Sequence, residues 1–224
     1  MNDSSVTTVA GDQSLTQATG AFPTSIAGRS AALGIEYQHR YFWLQALRLF
    51  VERAAVSHVA LERKIVRAFD DVVTDYATPQ KDDFGRPITA DRFQLKFHVD
   101  YRHDVRAADL ESPAFLGGKK WALLDHLRHA IRHGPIPSRL TLITSYTLAE
   151  GDPLRYLVSG KNGEINYERL FAGDADKAMR EVRDRWLARL QVNDSGLVEA
   201  LKHLRIPSAT MGNEERSWSQ ARSR

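Results

Sequence analysis

From Phe93 to Asp100 the chain alternates apolar and polar residues without a break: Phe93-Gln94-Leu95-Lys96-Phe97-His98-Val99-Asp100. Strict alternation marks a half-buried β-strand. Strand side chains alternate faces, so Phe93, Leu95, Phe97 and Val99 point one way and Gln94, Lys96, His98 and Asp100 the other. Upstream, Tyr37, Tyr41, Leu44, Leu47 and Val51 recur at helical spacing, and Trp43 and Phe50 widen the stripe. Residues 36–53 therefore read as a long helix buried on one side. Residues 56–61 and the Val-rich 64–77, interrupted by Asp70-Asp71, read as strands. Residues 78–90 contain Pro79, Gly85 and Pro87 and read as a loop. Residues 104–120, with Pro113 and Gly117-Gly118, are irregular or a short helix. A helix over 121–133 is stopped by Gly134-Pro135. Leu140, Leu142 and Ile143 mark a strand over 139–146, and two helices follow at 174–191 and 195–204.

The ends carry no such pattern. Residues 1–30 are rich in Ser, Thr, Ala and Gly and cannot bury enough surface to repay ordering, so a mobile tail is expected there. Residues 207–224 are polar and read as a second tail, which leaves one domain over 31–206. The 224 residues suffice for one sizeable α/β domain. There is no cysteine, which rules out disulfides and thiolate metal sites and suits a reducing compartment. A net charge of +3 permits a polyanionic partner without requiring one. No secretory leader and no run of membrane-spanning length is visible, so the expectation is a soluble cytoplasmic protein with no membrane partner.

The order helix, strand, strand, strand, helix, strand, then further helices, predicts a mixed β-sheet flanked by helices, with extra C-terminal helices. It is also the core order of the restriction-endonuclease-like, or PD-(D/E)xK, fold. Three segments sharpen the likeness: Gly34-Ile35-Glu36-Tyr37-Gln38 opening a helix, Phe69-Asp70-Asp71-Val72-Val73, and Phe93-Gln94-Leu95-Lys96. In that order and spacing they resemble the Cap4-type double-stranded DNA endonuclease domain, in which a Gly-x-x-Tyr-Gln helix start precedes an Asp-Asp-hydrophobic strand and a Gln-x-Lys strand. The resemblance covers about residues 31–146. It implies an effector of bacterial anti-phage defence that cuts double-stranded DNA.

The residue chemistry points the same way. Phosphodiester hydrolysis calls for a divalent metal that activates water and shields phosphate charge. Mg²⁺, or Mn²⁺ in its place, takes hard oxygen ligands and keeps several waters, so one or two carboxylates suffice. Asp71 is the expected principal ligand. Gln94 stands where an acid is usual, and its amide oxygen could ligate or orient a water. Lys96 would steady the attacking water or the charge developing on phosphorus. Glu36, expected in the first helical turn, could reach the same cluster, although a carboxylate there also suits the helix dipole. Asp70 is the alternative ligand. Adjacent strand residues face opposite ways, so only one of the pair enters the site unless a bulge intervenes. Asp71 is preferred because Val73 and Asp75 then share its face while Val72 and Tyr76 lie opposite.

Other charged features suggest partners. His126, His129 and His133 share a helix face with Arg128 and Arg132. Three His could hold a metal, but the two Arg favour a phosphate-contacting face. Gly117-Gly118-Lys119-Lys120 lacks P-loop spacing and reads as a turn whose Lys119 and Lys120 could touch phosphate. The helix over 174–191 mixes charges of both signs, and its Trp186, Leu187 and Leu190 would pack it down or meet a partner. An unrestrained nuclease would be toxic, so a homo-oligomer or a regulatory partner protein is expected to gate it. The competing expectation is a non-catalytic module of the same fold, with Gln94 marking a lost site, used for nucleic-acid binding or assembly.

Overall fold

The computed structural model describes residues 26–63, 69–82, 84–97, 104–133, 138–159 and 162–207. Helix α1 (Ile26–Ala46) leads into strands β1 (Val56–Leu61), β2 (Val72–Lys81) and β3 (Pro87–Lys96), then helix α2 (Leu123–His133) and strand β4 (Ser138–Thr144). The expected order is therefore present. It continues through α3 (Pro153–Leu157), β5 (Val158–Ser159), β6 (Glu164–Ile165), α4 (Glu168–Phe171), α5 (Lys177–Leu190), α6 (Asp194–His203) and β7 (Leu204–Arg205). The strands form one sheet in the order β1-β2-β3-β4-β7-β6-β5. β3–β4 and β4–β7 are parallel and the other pairs antiparallel.

The sheet is mixed and covered on both faces. On one face Tyr37 and Tyr41 of α1 pack against Val72, Phe93, Leu95 and Ile143. On the other, Leu140 and Leu142 join α2, α5 and α6 in the larger core. The alternation read in the sequence produces this division. Phe93 and Leu95 turn to α1, and Gln94 and Lys96 turn to the opposite side. The strand ends at Lys96. His98, Val99 and Asp100 of the expected strand lie outside the described residues.

Several boundaries differ from the expectation. α1 begins at Ile26, ten residues before Glu36, and ends at Ala46 in two short 3-10 turns, Leu47–Phe50 and Glu52–Ala54. Most of the expected N-terminal tail lies outside the described residues. Trp43 and Phe50 do not widen the buried stripe. They are 66% and 86% exposed, because Trp43 lies on the side of the helix away from Tyr37 and Tyr41 and Phe50 lies past its end. Residues 78–90 are mostly paired strand rather than loop. β2 and β3 form a hairpin whose turn is closed by Asp82, which accepts hydrogen bonds from the Phe84 and Arg86 amides at 2.9 and 2.8 Å. Pro79 is tolerated because the register slips between Asp75 and Gln80, where a missing N–H costs no ladder bond. Asp70 and Asp71 precede β2 instead of interrupting it, and 64–68 lie outside the described residues.

α5 is capped by Asp176, whose side chain accepts from the Met179 amide, and α6 by Asn193, which accepts from the Gly196 amide. Trp186 is fully buried at 0% exposure, and Leu190 lies with it in the core. The partner surface expected around Trp186, Leu187 and Leu190 is thus used up in packing α5 down. The mixed charges of α5 behave as expected, with Arg185 paired to Glu111 and Lys177 to Glu181. Among the described residues no helix is long and apolar enough to cross a membrane.

Candidate functional site

Val72 pairs with Phe93 across the antiparallel β2–β3 ladder, so the residue before Val72 meets the one after Phe93. That places Asp71 against Gln94. Asp71 Oδ2 accepts from Gln94 Nε2 at 2.6 Å and from the Leu95 amide at 2.7 Å. Lys96 follows on the same face as Gln94. Between the two candidate carboxylates, Asp71 is the one that makes these contacts. Asp70 adds its negative charge beside it and gives its backbone carbonyl to the Arg63 amide.

The electrostatics follow from this placement. Burial pushes the Asp71 carboxyl up to about 6, with Asp70 and Glu62 adding to the rise and the Leu95 amide and Lys96 opposing it. Burial also lowers the Lys96 ammonium below its usual value, an effect that Asp71 partly offsets. A side chain at residue 117 would begin 3.4 Å from Lys96 Nζ, so Gly117 leaves the room in which that ammonium sits. Gly117 ends the 3-10 turn Pro113–Leu116 in a left-handed conformation, φ +73°. Lys119 and Lys120 are exposed immediately beyond it, on the segment that approaches Lys96.

Glu36 is not brought into this group. With α1 beginning at Ile26 it sits in the helix interior, away from the first-turn dipole, and pairs with exposed Arg40 at 2.5 Å. The additional carboxylate near Asp71 is Glu62, whose amide donates to the Asp71 carbonyl at 3.0 Å. Sequence reasoning missed Glu62. The available signal was the pairing of Leu61 with Val72, which depends on where β2 starts. Arg92, two residues before Gln94 on the same face, was also missed. It is buried, and burial lowers its pKa while Asp75 and Asp70 favour its charge.

The donor set fits a hard divalent cation. The charges of Asp70 and Glu62 act on Asp71 against the ammonium of Lys96. Asp71 keeps Oδ1 as an acceptor with no hydrogen-bond partner among the described residues. Among the described residues no three His, Cys, Asp or Glu side chains are placed to hold a metal ion together. That limits the Asp71 site to one or two protein carboxylates, which Mg²⁺ accepts because it retains waters. It also removes the three-His reading of α2. There the rings of His126 and His129 instead pack on Trp121 at 5.5 Å.

The expected phosphate-binding residues separate. Arg132 is exposed at the end of α2. Arg128, with its side chain 24% exposed, is turned into the α2–α5 contact, where Nη1 donates to the Arg189 carbonyl at 3.3 Å beside the Asp125–Arg189 ion pair.

No protein-family model matches the chain. It is 34% identical over 176 residues to CD-NTase-associated protein 4 of Enterobacter hormaechei subsp. hoffmannii (strain UCI 50). The match covers 77% of this chain and 35% of that protein, so the chain spans about a third of the length of this curated relative. A likeness over most of the chain at this identity supports a relationship to the Cap4 family.

Proposed function

We propose that this chain is a divalent-metal-dependent DNA endonuclease module that serves as an effector of anti-phage defence. The observation that carries the reading is the meeting of Asp71, Gln94 and Lys96 on one face at the end of β3, with Asp71 Oδ2 2.6 Å from Gln94 Nε2. The similarity to CD-NTase-associated protein 4 supplies the defence setting.

Each residue has a part that its surroundings suit. Asp71 would hold Mg²⁺ or Mn²⁺ through Oδ1, with Asp70 and Glu62 deepening the negative field. When bound, the metal would make water a nucleophile at neutral pH and neutralise phosphate charge. Gln94 orients Asp71 through its amide N–H and presents its amide oxygen as a further acceptor. Lys96 is a preorganised cation in a partly water-excluded place, where stabilising charge that develops on the phosphate is most effective. Its lowered pKa makes it a readier proton donor to that charge. Lys119 and Lys120 would neutralise flanking phosphates. The relative's name records association with a CD-NTase. Carried to this chain, that implies gating by a partner protein or by self-assembly in the cytoplasm.

The test is cleavage of supercoiled plasmid with Mg²⁺, Mn²⁺ or a chelator. Cleavage should require metal, and Lys96→Ala and Asp71→Ala should each lower it by at least about a hundredfold, the scale of losing one electrostatic catalytic group. Near wild-type cleavage by folded Lys96→Ala would overturn the assignment. Gln94, an amide where an acid is usual, favours one second reading, a non-catalytic nucleic-acid-binding or assembly module. DNA binding with no cleavage in Mn²⁺, with and without a partner, would decide for that reading.

A further inference from the structure

α1 buries one side against the sheet and leaves the other bare. Among the described residues eight large apolar side chains are exposed, and six of them lie between Leu33 and Phe50. Scattered exposed apolar side chains are ordinary, but a cluster on one element marks a contact surface. Ala31, Ile35, His39, Trp43 and Leu47 stand four apart and form one ridge of the helix. All five are exposed. Phe50 repeats Leu47 three residues on in the 3-10 turn, where i and i+3 eclipse. Tyr37 and Tyr41 hold the opposite side of α1 to the sheet. Gln94 and Lys96 turn to the other face of that sheet, so whatever covers the ridge leaves the candidate site open.

The ridge is graded along its length. Its N-terminal end is small, with Ala31 and the neighbouring exposed Ala32, and its C-terminal end is bulky, with Trp43, Leu47 and Phe50. Such a ridge fits a copy of itself laid antiparallel, because a two-fold axis then sets large against small at both ends. With the axis at His39, Ile35 faces Trp43 of the second copy and Ala31 faces its Leu47. Charge agrees with this pairing. Glu36 and Arg40 flank the ridge with one charge of each sign, and the same axis brings Glu36 of each copy within a turn of Arg40 of the other. At about 150–250 Å² for a large side chain, Ile35, Trp43, Leu47 and Phe50 expose roughly 500 Å² between them. The residues between them carry the patch to the roughly 600 Å² per copy at which specific interfaces begin.

We propose that this ridge is a self-association surface on which a second copy of the chain docks its own α1 antiparallel, with Trp43 of each copy against Ile35 of the other. The pairing lies beyond the nuclease reading and supplies a surface for self-assembly in place of the Trp186 side of α5, which is buried. Aromatic anchors near the centre of an interface carry most of its energy, so Trp43 is the main one here. An interface of this size gives a dissociation constant in the micromolar range.

Light scattering of the full chain, in chelator and without DNA, should show the mass rising from one copy to two across the micromolar range. Trp43→Gln should raise the dissociation constant about thirtyfold, the scale of losing an aromatic anchor. Its far-ultraviolet circular dichroism should be unchanged, because Trp43 is exposed in the single chain. The chain has no cysteine, so one introduced thiol reports alone. His39→Cys, at the two-fold axis, should be joined to itself by a short thiol cross-linker, whereas Lys177→Cys, exposed on α5, should not. A chain that stays monomeric well above the micromolar range, whose α1 some other molecule must then cover, overturns the pairing. So does a dimer indifferent to Trp43→Gln, or cross-linking of Lys177→Cys as fast as that of His39→Cys. The readout needs neither metal nor catalysis, so the two readings fail separately. Plasmid cleavage by a strict monomer removes the pairing alone. A chain paired through α1 that cuts nothing under any condition removes the nuclease reading and leaves the interface.

Discussion

Asp71 is held at a cost that pH can reveal. Its folded pKa of about 6 lies above the ordinary carboxylate value. Between roughly pH 4 and 6 the folded state keeps a proton that the unfolded state has released, so stability falls as pH rises through that window. Above about pH 6 the penalty is complete, on the order of 3 kcal/mol. Asp71→Asn should therefore raise the melting temperature at pH 8 by about 6–12 °C, given about 2–4 °C per kcal/mol for a chain of this size, and leave it unchanged at pH 4. Mg²⁺ should raise the melting temperature of wild type at pH 8 and not that of Asp71→Asn. Thermal melts over this pH range check both points, and identical pH profiles for the two proteins would refute them. Gly117 supplies a second residue-scale prediction. Gly117 and Gly85 share nearly the same φ, +73° and +74°, but a Cβ at 85 meets nothing within 4 Å while one at 117 meets Lys96 Nζ at 3.4 Å. Alanine at either position should cost about 1 kcal/mol of stability. A methyl at 117 would touch Lys96 Nζ at ordinary van der Waals distance, so any loss of DNA cleavage beyond the shared stability cost should appear in Gly117→Ala alone, and equal cleavage by the two variants would show that this contact does not matter.

At the scale of elements, α1 is tied to the sheet by a polar knot as well as by Tyr37 and Tyr41. Asp91 on β3 is 1% exposed and accepts both Arg139 Nε and Nη2 from β4 at 2.7 Å and the Tyr76 hydroxyl from β2 at 2.5 Å. Arg48, just past α1, donates to the same hydroxyl at 3.0 Å. Burial, followed by the Asp91 charge, pushes the Tyr76 phenol up to about 12. Asp91→Ala would leave Arg139 and Arg48 facing each other without their common acceptor. The expected loss is about 3–5 kcal/mol, the usual result of breaking one partner of a buried pair. Urea unfolding measures it, and absorbance titration should show the Tyr76 phenol moving down towards its ordinary value. A loss below about 1 kcal/mol would mean the knot contributes little to joining α1 to the sheet.

For the whole molecule, charge placement matters more than the net +3. Lys119 and Lys120 lie exposed beside the candidate site, whereas Arg128 is spent between α2 and α5. Non-specific DNA affinity should fall steeply with salt, by about 0.9 logarithmic units per phosphate contact per logarithmic unit of salt. Replacing Lys119 and Lys120 together by Ala should flatten that slope by about 1.8, the product of 0.9 and two contacts. Arg128→Ala should leave the slope alone and lower the melting temperature by loosening α2 from α5. Affinity measured across a salt series separates the two, and a slope that responds to Arg128 rather than to the two lysines would relocate the DNA face.

What was legible in the sequence was legible because it is local. The alternation from Phe93 to Lys96 determines which side chains face α1, since the period of a strand is two residues wherever the strand lies. Apolar spacing likewise marks α1, α2, α5 and α6, and the order of elements follows from reading them in turn. Position across the sheet is not local. Asp71 meets Gln94 across 23 residues of chain, and that contact depends on the β2–β3 register, which slips between Asp75 and Gln80 on the way from the turn at Asp82 and which Pro79 and Pro87 disguise as a loop. The β1–β2 register, which pairs Leu61 with Val72, brings Glu62 to Asp71, while Glu36 pairs with Arg40 one turn on within α1. Trp186 reads as surface or core equally well from its own helix, and only the sheet, α2 and α6 around it make it core. The chain alone thus determined its longer helices, the order of its core elements and the faces of β3. The tertiary structure decided which carboxylate stands beside Lys96, because a charge is placed by the partner strand and buried by elements far from it in sequence.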